Sequence, residues 1–172
     1  MLTKNIRFKN FSNKSNISKF SKEFKKLIKS NSEIINSLSF HYSYSFTKNI
    51  IKKYKNFLKL RVIGMGGSIL GTEAIFNFLK HKIKKNFLFV SNLNNDSINN
   101  KGSKILNIIV SKSGNTLETI SNANILIKKK DKNIFITENK SSYLLKLASK
   151  LKSEVIYHNN FIGGRYSVLS EV

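Results

Sequence analysis

The order of apolar and polar positions changes character near residue 58. From there to the C-terminus, five short apolar runs have the length of buried strands, at residues 60–64, 87–91, 105–111, 133–137 and 154–158. Amphipathic stretches of helical length lie between them, at residues 69–81, 116–129 and 141–151. Because strands that alternate with helices are typical of a parallel sheet covered on both faces, the pattern predicts an α/β fold with a mainly parallel five-stranded sheet.

The first 57 residues form a separate region that is rich in Lys, Asn and Ser and is predicted to be helical. Two candidate helices, at residues 18–29 and 46–58, repeat apolar residues at helical spacing. The two apolar faces are Phe20, Phe24, Leu27 and Ile28 in the first, and Ile50, Ile51, Tyr54 and Phe57 or Leu58 in the second. Both helices are expected to pack on the sheet, whereas the segment before Ser18 is expected to be partly disordered. We therefore divide the chain at residues 1–57 and 58–172.

Composition excludes several kinds of chemistry. The chain has no cysteine, which excludes disulfides, thiolate catalysis and zinc sites built on cysteine. No apolar run reaches the roughly 18–20 residues that span a bilayer, and the N-terminus lacks a secretory signal. We expect a soluble cytoplasmic protein without a membrane partner.

The net charge of +22 suggests a nucleic-acid ligand, but the type of basic residue argues against one. Nearly all of the basic residues are lysines spread along the whole chain, and only three arginines are present. Arginine is the residue that reads bases with two parallel hydrogen bonds. We interpret the charge as the compositional bias of an AT-rich genome, and we expect no nucleic-acid partner.

Two turns rich in Gly, Ser and Thr carry the candidate chemistry. Each follows a predicted strand and opens a predicted helix, at residues 61–71 and 108–119. Backbone N–H groups and hydroxyls at the positive end of a helix dipole bind phosphate. The second turn is the more specific one, since it places Ser111, Lys112 and Thr116 at one helix start. Ser91-Asn92 and Thr137-Glu138 follow other strands and extend the same edge of the sheet.

Each turn also has a purely structural interpretation. The glycines of the first turn allow close packing of a helix on the sheet, and their spacing departs from the Gly-x-Gly-x-x-Gly pattern of dinucleotide sites. In the second turn, Asn115 or Thr116 is a candidate helix cap, with Glu118 closing a capping box. A cap and an anion site are compatible, and the pair of turns favours a bound phosphate.

A third motif, Gly163-Gly164-Arg165-Tyr166-Ser167, connects the two turns to a known family. The three motifs, with Gly66-Gly67-Ser68 first and the segment from Ser111 to Thr119 second, occur in the order found in glucose-6-phosphate isomerases. The first two resemble any sugar isomerase (SIS) domain, and the third is similar to the phosphoglucose isomerase motif. The resemblance covers about residues 59–172 and implies an SIS-type three-layer sandwich preceded by N-terminal helices.

The resemblance also implies roles for individual residues. It implies a sugar-phosphate pocket whose members are Ser68, Ser111, Lys112, Ser113 and Thr116, with backbone contributions from Gly67, Gly114 and Asn115. Arg165 is then the catalytic cation that stabilises an enediol-like intermediate, because arginine stays charged and presents a planar fork. A structural salt bridge is the alternative role for Arg165.

The family's proton-transferring Glu, its ring-opening His and its Lys near the ring oxygen follow the third motif. We therefore expect the chain to be the N-terminal part of a longer isomerase of glycolysis and gluconeogenesis, without the second SIS domain and inactive alone. The resemblance implies no metal and no cofactor, and a homodimer when the protein is complete. A non-catalytic SIS-domain sensor of a sugar phosphate, or a basic nucleic-acid-binding protein, are the alternatives.

Overall fold

A parallel five-stranded sheet forms the centre of the protein in a computed structural model that describes residues 17–30, 32–93 and 104–172. The strands are β1 (Lys59–Ile63), β2 (Asn86–Val90), β3 (Ile105–Val110), β4 (Lys132–Thr137) and β5 (Glu154–Tyr157). Their order across the sheet is β2-β1-β3-β4-β5, and every neighbouring pair is parallel. All five strands that the sequence predicts are therefore present, and the α/β fold is confirmed.

Six helices accompany the sheet in the described ranges. They are α1 (Ile17–Lys29), α2 (Glu33–Asn36), α3 (Lys48–Tyr54), α4 (Leu70–Leu79), α5 (Leu117–Leu126) and α6 (Tyr143–Lys150), and two 3₁₀ turns lie at Gly66–Ser68 and Gly164–Leu169. The short helix α2 and both 3₁₀ turns were not predicted. In the described part of the chain, no helix has the length and apolar character needed to cross a bilayer.

Alternate side chains along each strand point to opposite faces, which produces two cores. On one face, Val62, Leu106 and Ile134 are buried beneath α3, whose Ile50 and Tyr54 pack against them. The same face receives α4, since Phe76 lies 4.9 Å from Phe87 and 5.6 Å from Phe89, between ring centroids. This face of the sheet is thus covered by α3, which precedes β1, and by α4, which follows it.

The other face packs against α5 and α6. Its buried residues are Ile63, Ile109, Ala123, Phe135, Leu144 and Ala148. The helix after β1 and the helix after β3 therefore lie on opposite faces of the sheet. This arrangement gives the three layers of a helix-sheet-helix sandwich.

The prediction that both N-terminal helices pack on the sheet is right for α3 and wrong for α1. On α1, Phe20, Phe24, Leu27 and Ile28 are all more than half exposed. Amphipathic periodicity predicts that a helix has an apolar face, but it does not specify what that face contacts. The segment before Ser18, predicted to be partly disordered, lies outside the described residues except for Ile17.

Several predicted helix boundaries also shift: the helix predicted at 46–58 is shorter at both ends, the one at 141–151 is slightly shorter, and two further shifts have local reasons. The stretch at 69–81 begins one residue later as a helix, because residues 66–68 form a 3₁₀ turn first. The stretch at 116–129 ends at Leu126, because Ile127 adopts an extended conformation and a turn follows. In that turn, the Asp131 carboxylate accepts a hydrogen bond of 2.9 Å from the Lys128 N–H. In the predicted second helix, Ile51 is exposed rather than packed, and of the alternatives Phe57 and Leu58 it is Phe57 that packs against the core.

Candidate functional site

Three loops at the carboxyl edge of the sheet hold the residues assigned to the site. The first follows β1 (residues 64–69), the second follows β3 (residues 111–116) and the third follows β5 (residues 158–169). The strands β1 and β3 are neighbours at the point where the strand order reverses. Open parallel sheets bind their ligands at such a point, so the topology places two of the three motifs where a ligand is expected.

The first and third motifs touch through glycines. A Cβ added at Gly67 would overlap the carbonyl carbon and oxygen of Gly164, and one added at Gly71 would overlap the side chain of Val168. The Ser167 hydroxyl reinforces the contact, since its Oγ lies 2.8 Å from the Gly164 carbonyl and 3.4 Å from that of Gly67. Part of the glycine pattern in the first motif is therefore required by packing against the third.

The second loop turns sharply at Gly114 and then holds the start of α6. Gly114 has φ +66°, and a Cβ there would overlap the side chain of Ser142; glycine is favoured on both grounds. The Asn115 Oδ1 accepts a hydrogen bond of 2.9 Å from the Tyr143 N–H, and the Gly114 carbonyl accepts one of 3.1 Å from the Leu144 N–H. The Asn115 side chain thus caps α6, the helix after the next strand.

At the N-terminus of α5, by contrast, the backbone N–H groups remain unsatisfied. Thr116 occupies the N-cap position, but its side chain makes no capping hydrogen bond. Its Oγ1 instead lies 2.9 Å from the Oγ of Ser111, which is only 1% exposed. Among the residues that the structure describes, the N–H groups of residues 116–119 have no hydrogen-bond acceptor. The capping box proposed for Asn115 or Thr116 with Glu118 is therefore wrong, and an anion would meet unsatisfied donors at this helix end.

The Lys112 side chain extends from the second loop to the third. Its Nζ is 3.3 Å from Oε1 of Glu138, and a Cβ added at Gly163 would lie 3.1 Å from the same Nζ. Lys140 approaches the other carboxylate oxygen of Glu138, at 3.0 Å. Burial raises the pKa of the Glu138 carboxyl and the two ammonium groups lower it, so that the net result is a pKa below its usual value. Glu138 is therefore a buried anion that is compensated by two lysines.

The remaining assigned side chains are more accessible. Ser68 is half-buried, and Ser113 and Arg165 are exposed. The Ser113 Oγ accepts a hydrogen bond of 3.2 Å from the Asn115 N–H. Arg165 forms no hydrogen bond or ion pair with any residue in the described ranges, so a structural salt bridge does not account for it there.

The structure thus brings the three motifs to one edge of the sheet but changes the expected donors. The N–H groups of Gly114 and Asn115 already donate within the loop, to the Ser111 carbonyl and the Ser113 hydroxyl. The unsatisfied N–H groups lie one turn later, at the start of α5. Thr119 was not assigned a role, yet its hydroxyl there is buried and without a partner among the described residues.

The surface also has a depression that lies away from the three motifs. A shallow depression of about 480 Å³ runs along α6, and its lining residues are Ser141, Ser142, Leu145, Lys146, Ser149 and Lys150. None of the three motifs lines this depression. Within the described ranges, no group of three His, Asp or Glu residues is arranged to hold a metal ion.

Comparison with known proteins places the chain beside sugar isomerases. A family model described as phosphoglucose isomerase matches residues 14–172. Over 145 residues the chain is 37% identical to the glucose-6-phosphate isomerase of Borreliella afzelii (strain PKo). This alignment covers 70% of this chain and 26% of that protein. The chain is 34% identical over 137 residues to the glucose-6-phosphate isomerase of Methanocaldococcus jannaschii, in an alignment that covers 71% of this chain and 33% of that protein. The chain thus spans between a quarter and a third of the length of these relatives.

A solved structure supports the fold independently. The crystal structure of a hypothetical protein from Thermus thermophilus aligns with a TM-score of 0.67 at 18% identity. The alignment covers 90% of this chain and 41% of that chain. At this level of identity the likeness concerns the arrangement of helices and strands alone.

Proposed function

The chain belongs to the phosphoglucose isomerase family, and on that premise we propose that it supplies the phosphate-binding domain of a glucose-6-phosphate isomerase. The complete enzyme would interconvert glucose 6-phosphate and fructose 6-phosphate by moving a proton between C1 and C2. The observation that carries the proposal is that the glycine-rich loop after β1 and the hydroxyl-rich loop after β3 both lie at the switch point of the sheet, where the N-terminal N–H groups of α5 are unsatisfied.

The phosphate would bind where the donors of the two loops meet. We assign its side-chain partners to Ser68, Lys112, Ser113 and Thr116, and the buried Ser111 hydroxyl holds that of Thr116 in place. The unsatisfied N–H groups of α5 add backbone donors at the positive end of the helix dipole. Lys112 supplies a full positive charge, which makes its hydrogen bond to a phosphate oxygen stronger than a neutral one.

Arg165 is the catalytic residue that we assign within this chain. Isomerisation through an enediol needs a fixed cation near the oxygen that gains negative charge. The guanidinium of Arg165 is exposed and unpaired in the described structure, so it is available for that charge. Its loop packs on Gly67, the neighbour of Ser68 in the proposed phosphate site, and this contact supports the assignment.

The alternative is a regulatory module that senses a sugar phosphate without converting it. The names of the relatives favour the isomerase, since both proteins described above are glucose-6-phosphate isomerases. A cytoplasmic homodimer with no nucleic-acid or membrane partner is part of the same proposal.

Calorimetric titration of the 172-residue polypeptide tests the proposal. We expect glucose 6-phosphate and fructose 6-phosphate to bind, and unphosphorylated glucose to bind far more weakly. Lys112→Ala is expected to weaken both sugar phosphates about tenfold or more, the scale of a lost charged hydrogen bond. Lys132→Ala is the matched control, because Lys132 is exposed at the opposite end of β4.

Equal losses for phosphorylated and unphosphorylated sugars would mean that the second loop is structural. We further expect no interconversion of the two sugar phosphates by this polypeptide, since the family's catalytic base follows the Gly-Gly-Arg motif. Robust turnover by the purified chain would show that the catalytic base lies within these 172 residues.

A further inference from the structure

Glu138 is a buried carboxylate at the edge of the candidate site to which no role is yet assigned. It directly follows β4, is 7% exposed, and contacts two lysines through its two oxygens. Of these lysines, Lys140 is well exposed, whereas the Lys112 side chain is about one-third exposed and lies against the third loop. A buried carboxylate is stable only when cations or hydrogen bonds compensate its charge.

The backbone around Glu138 also holds Lys112. The Lys112 carbonyl accepts a hydrogen bond of 3.0 Å from the Glu138 N–H and one of 3.2 Å from the Thr137 hydroxyl. The start of the Lys112 side chain is therefore fixed by β4, and its end is fixed by the Glu138 carboxylate. A long, flexible lysine is held at both ends by neighbouring residues of one strand terminus.

We propose that Glu138 is a positioning residue that holds the Lys112 ammonium at the junction of the second and third loops. This inference rests on the proposed function in one respect, the assignment of Lys112 to the phosphate. In the absence of Glu138, the Lys112 side chain would lose its fixed direction and pay the entropy of ordering when the ligand binds.

When the Glu138 carboxylate is removed, a positioning role and a purely electrostatic effect predict opposite changes in the affinity for phosphate. Glu138 is an anion close to a site for another anion, so its charge alone repels phosphate. If charge alone mattered, Glu138→Gln would tighten phosphate binding. If Glu138 positions Lys112, the same substitution weakens binding although it removes a repulsive charge.

The test measures binding of glucose 6-phosphate by calorimetry for four proteins, each checked for its thermal transition. Glu138→Gln is expected to weaken binding about twofold to tenfold, the range of one lost hydrogen-bonding contact. Glu138→Asp keeps the charge but shortens the side chain, and it is also expected to weaken binding. Lys140→Gln removes the exposed partner and is expected to leave affinity within about twofold of the wild type. Unchanged or tighter binding by the folded Gln and Asp variants would overturn the proposal.

A second measurement does not depend on the ligand. Acetylation of the ligand-free protein, followed residue by residue with mass spectrometry, reports how freely each lysine amine reacts. We expect Lys112 to react faster in Glu138→Gln than in the wild type, with Lys146 on α6 as an unaffected internal reference. An unchanged rate at Lys112 would overturn the positioning role even if phosphate binds. If the wild type binds no sugar phosphate, but Lys112 reacts faster in Glu138→Gln than in the wild type, the proposed function is refuted and the positioning role is kept.

Discussion

Thr116→Val removes a single hydroxyl from the end of the second loop, where α5 begins. The Thr116 Oγ1 lies 2.9 Å from the Ser111 Oγ, and Ser111 is 1% exposed. Valine has nearly the shape of threonine but offers no hydrogen bond. The substitution therefore leaves the Ser111 hydroxyl buried without this partner and removes one of the donors that we assign to the phosphate.

The two effects have separate magnitudes. Leaving a buried hydroxyl unsatisfied costs about 1–3 kcal/mol, and we expect the free energy of unfolding to fall by about 1–2 kcal/mol. In a protein of this size each kcal/mol shifts the melting temperature by about 2–4 °C. A lost hydrogen bond to a charged phosphate costs about 1.5–3 kcal/mol, which corresponds to binding that is about 10- to 150-fold weaker.

Calorimetric titration with glucose 6-phosphate and thermal denaturation measure the two effects independently. Thr47→Val is the matched control, because Thr47 is exposed at the start of α3 and its side chain makes no capping hydrogen bond. This control is expected to change stability by no more than about 0.5 kcal/mol and to bind as the wild type does. Binding of glucose 6-phosphate by Thr116→Val as tight as that by Thr47→Val would exclude Thr116 as a donor to the phosphate.

Three further predictions concern the third loop and the N-terminal region. In a chimera in which this chain replaces the matching segment of the Borreliella afzelii isomerase, Arg165→Lys should lower kcat on the order of 100-fold with little change in KM, because the contact forms mainly in the transition state; normal turnover with weakened binding would reassign Arg165 to the ground-state pocket. Gly67→Ala should lower stability by about 1–3 kcal/mol in thermal denaturation, because its Cβ would overlap the Gly164 backbone; an unchanged transition would rule out that contact. Burial, with the nearby Glu171 carboxylate, raises the pKa of Tyr42 to about 12, so an absorbance titration should show one late tyrosine, and stability should fall as the pH rises from about 10 to 12 because the unfolded tyrosine ionises first; a Tyr42→Phe protein that keeps the late transition would contradict this assignment.

The strands and the carboxyl-edge loops were predictable because each depends on local pattern. Every predicted strand is present, and the Gly/Ser/Thr turns follow β1 and β3 as expected. The contacts between loops were not predictable, since the Ser167 hydroxyl and the Gly67 carbonyl are 100 residues apart in the chain. A local sequence pattern predicts the turn but not the surface against which the turn packs.

The hydrogen-bond partners of polar side chains were the part predicted least well, because they depend on which strands and loops become neighbours in the fold. Asn115 was expected near the phosphate through its backbone, whereas its side chain caps α6. Arg61 lies within a run that was interpreted as a buried apolar strand. Its guanidinium is buried and donates hydrogen bonds to the Leu126 carbonyl and to Asn107, its partner on β3. Neither arrangement follows from residue type or spacing.

A phosphate bound at the start of α5 would perturb the amides of the first and second loops. Amide chemical shifts of the ¹⁵N-labelled polypeptide, recorded during titration with glucose 6-phosphate and with glucose, would locate it. We expect shift changes at Gly67, at Ser68 and along residues 111–119 with the phosphorylated sugar, and nearly none there with glucose. Changes confined to the depression along α6, or equal changes with both sugars, would contradict a phosphate site at the start of α5.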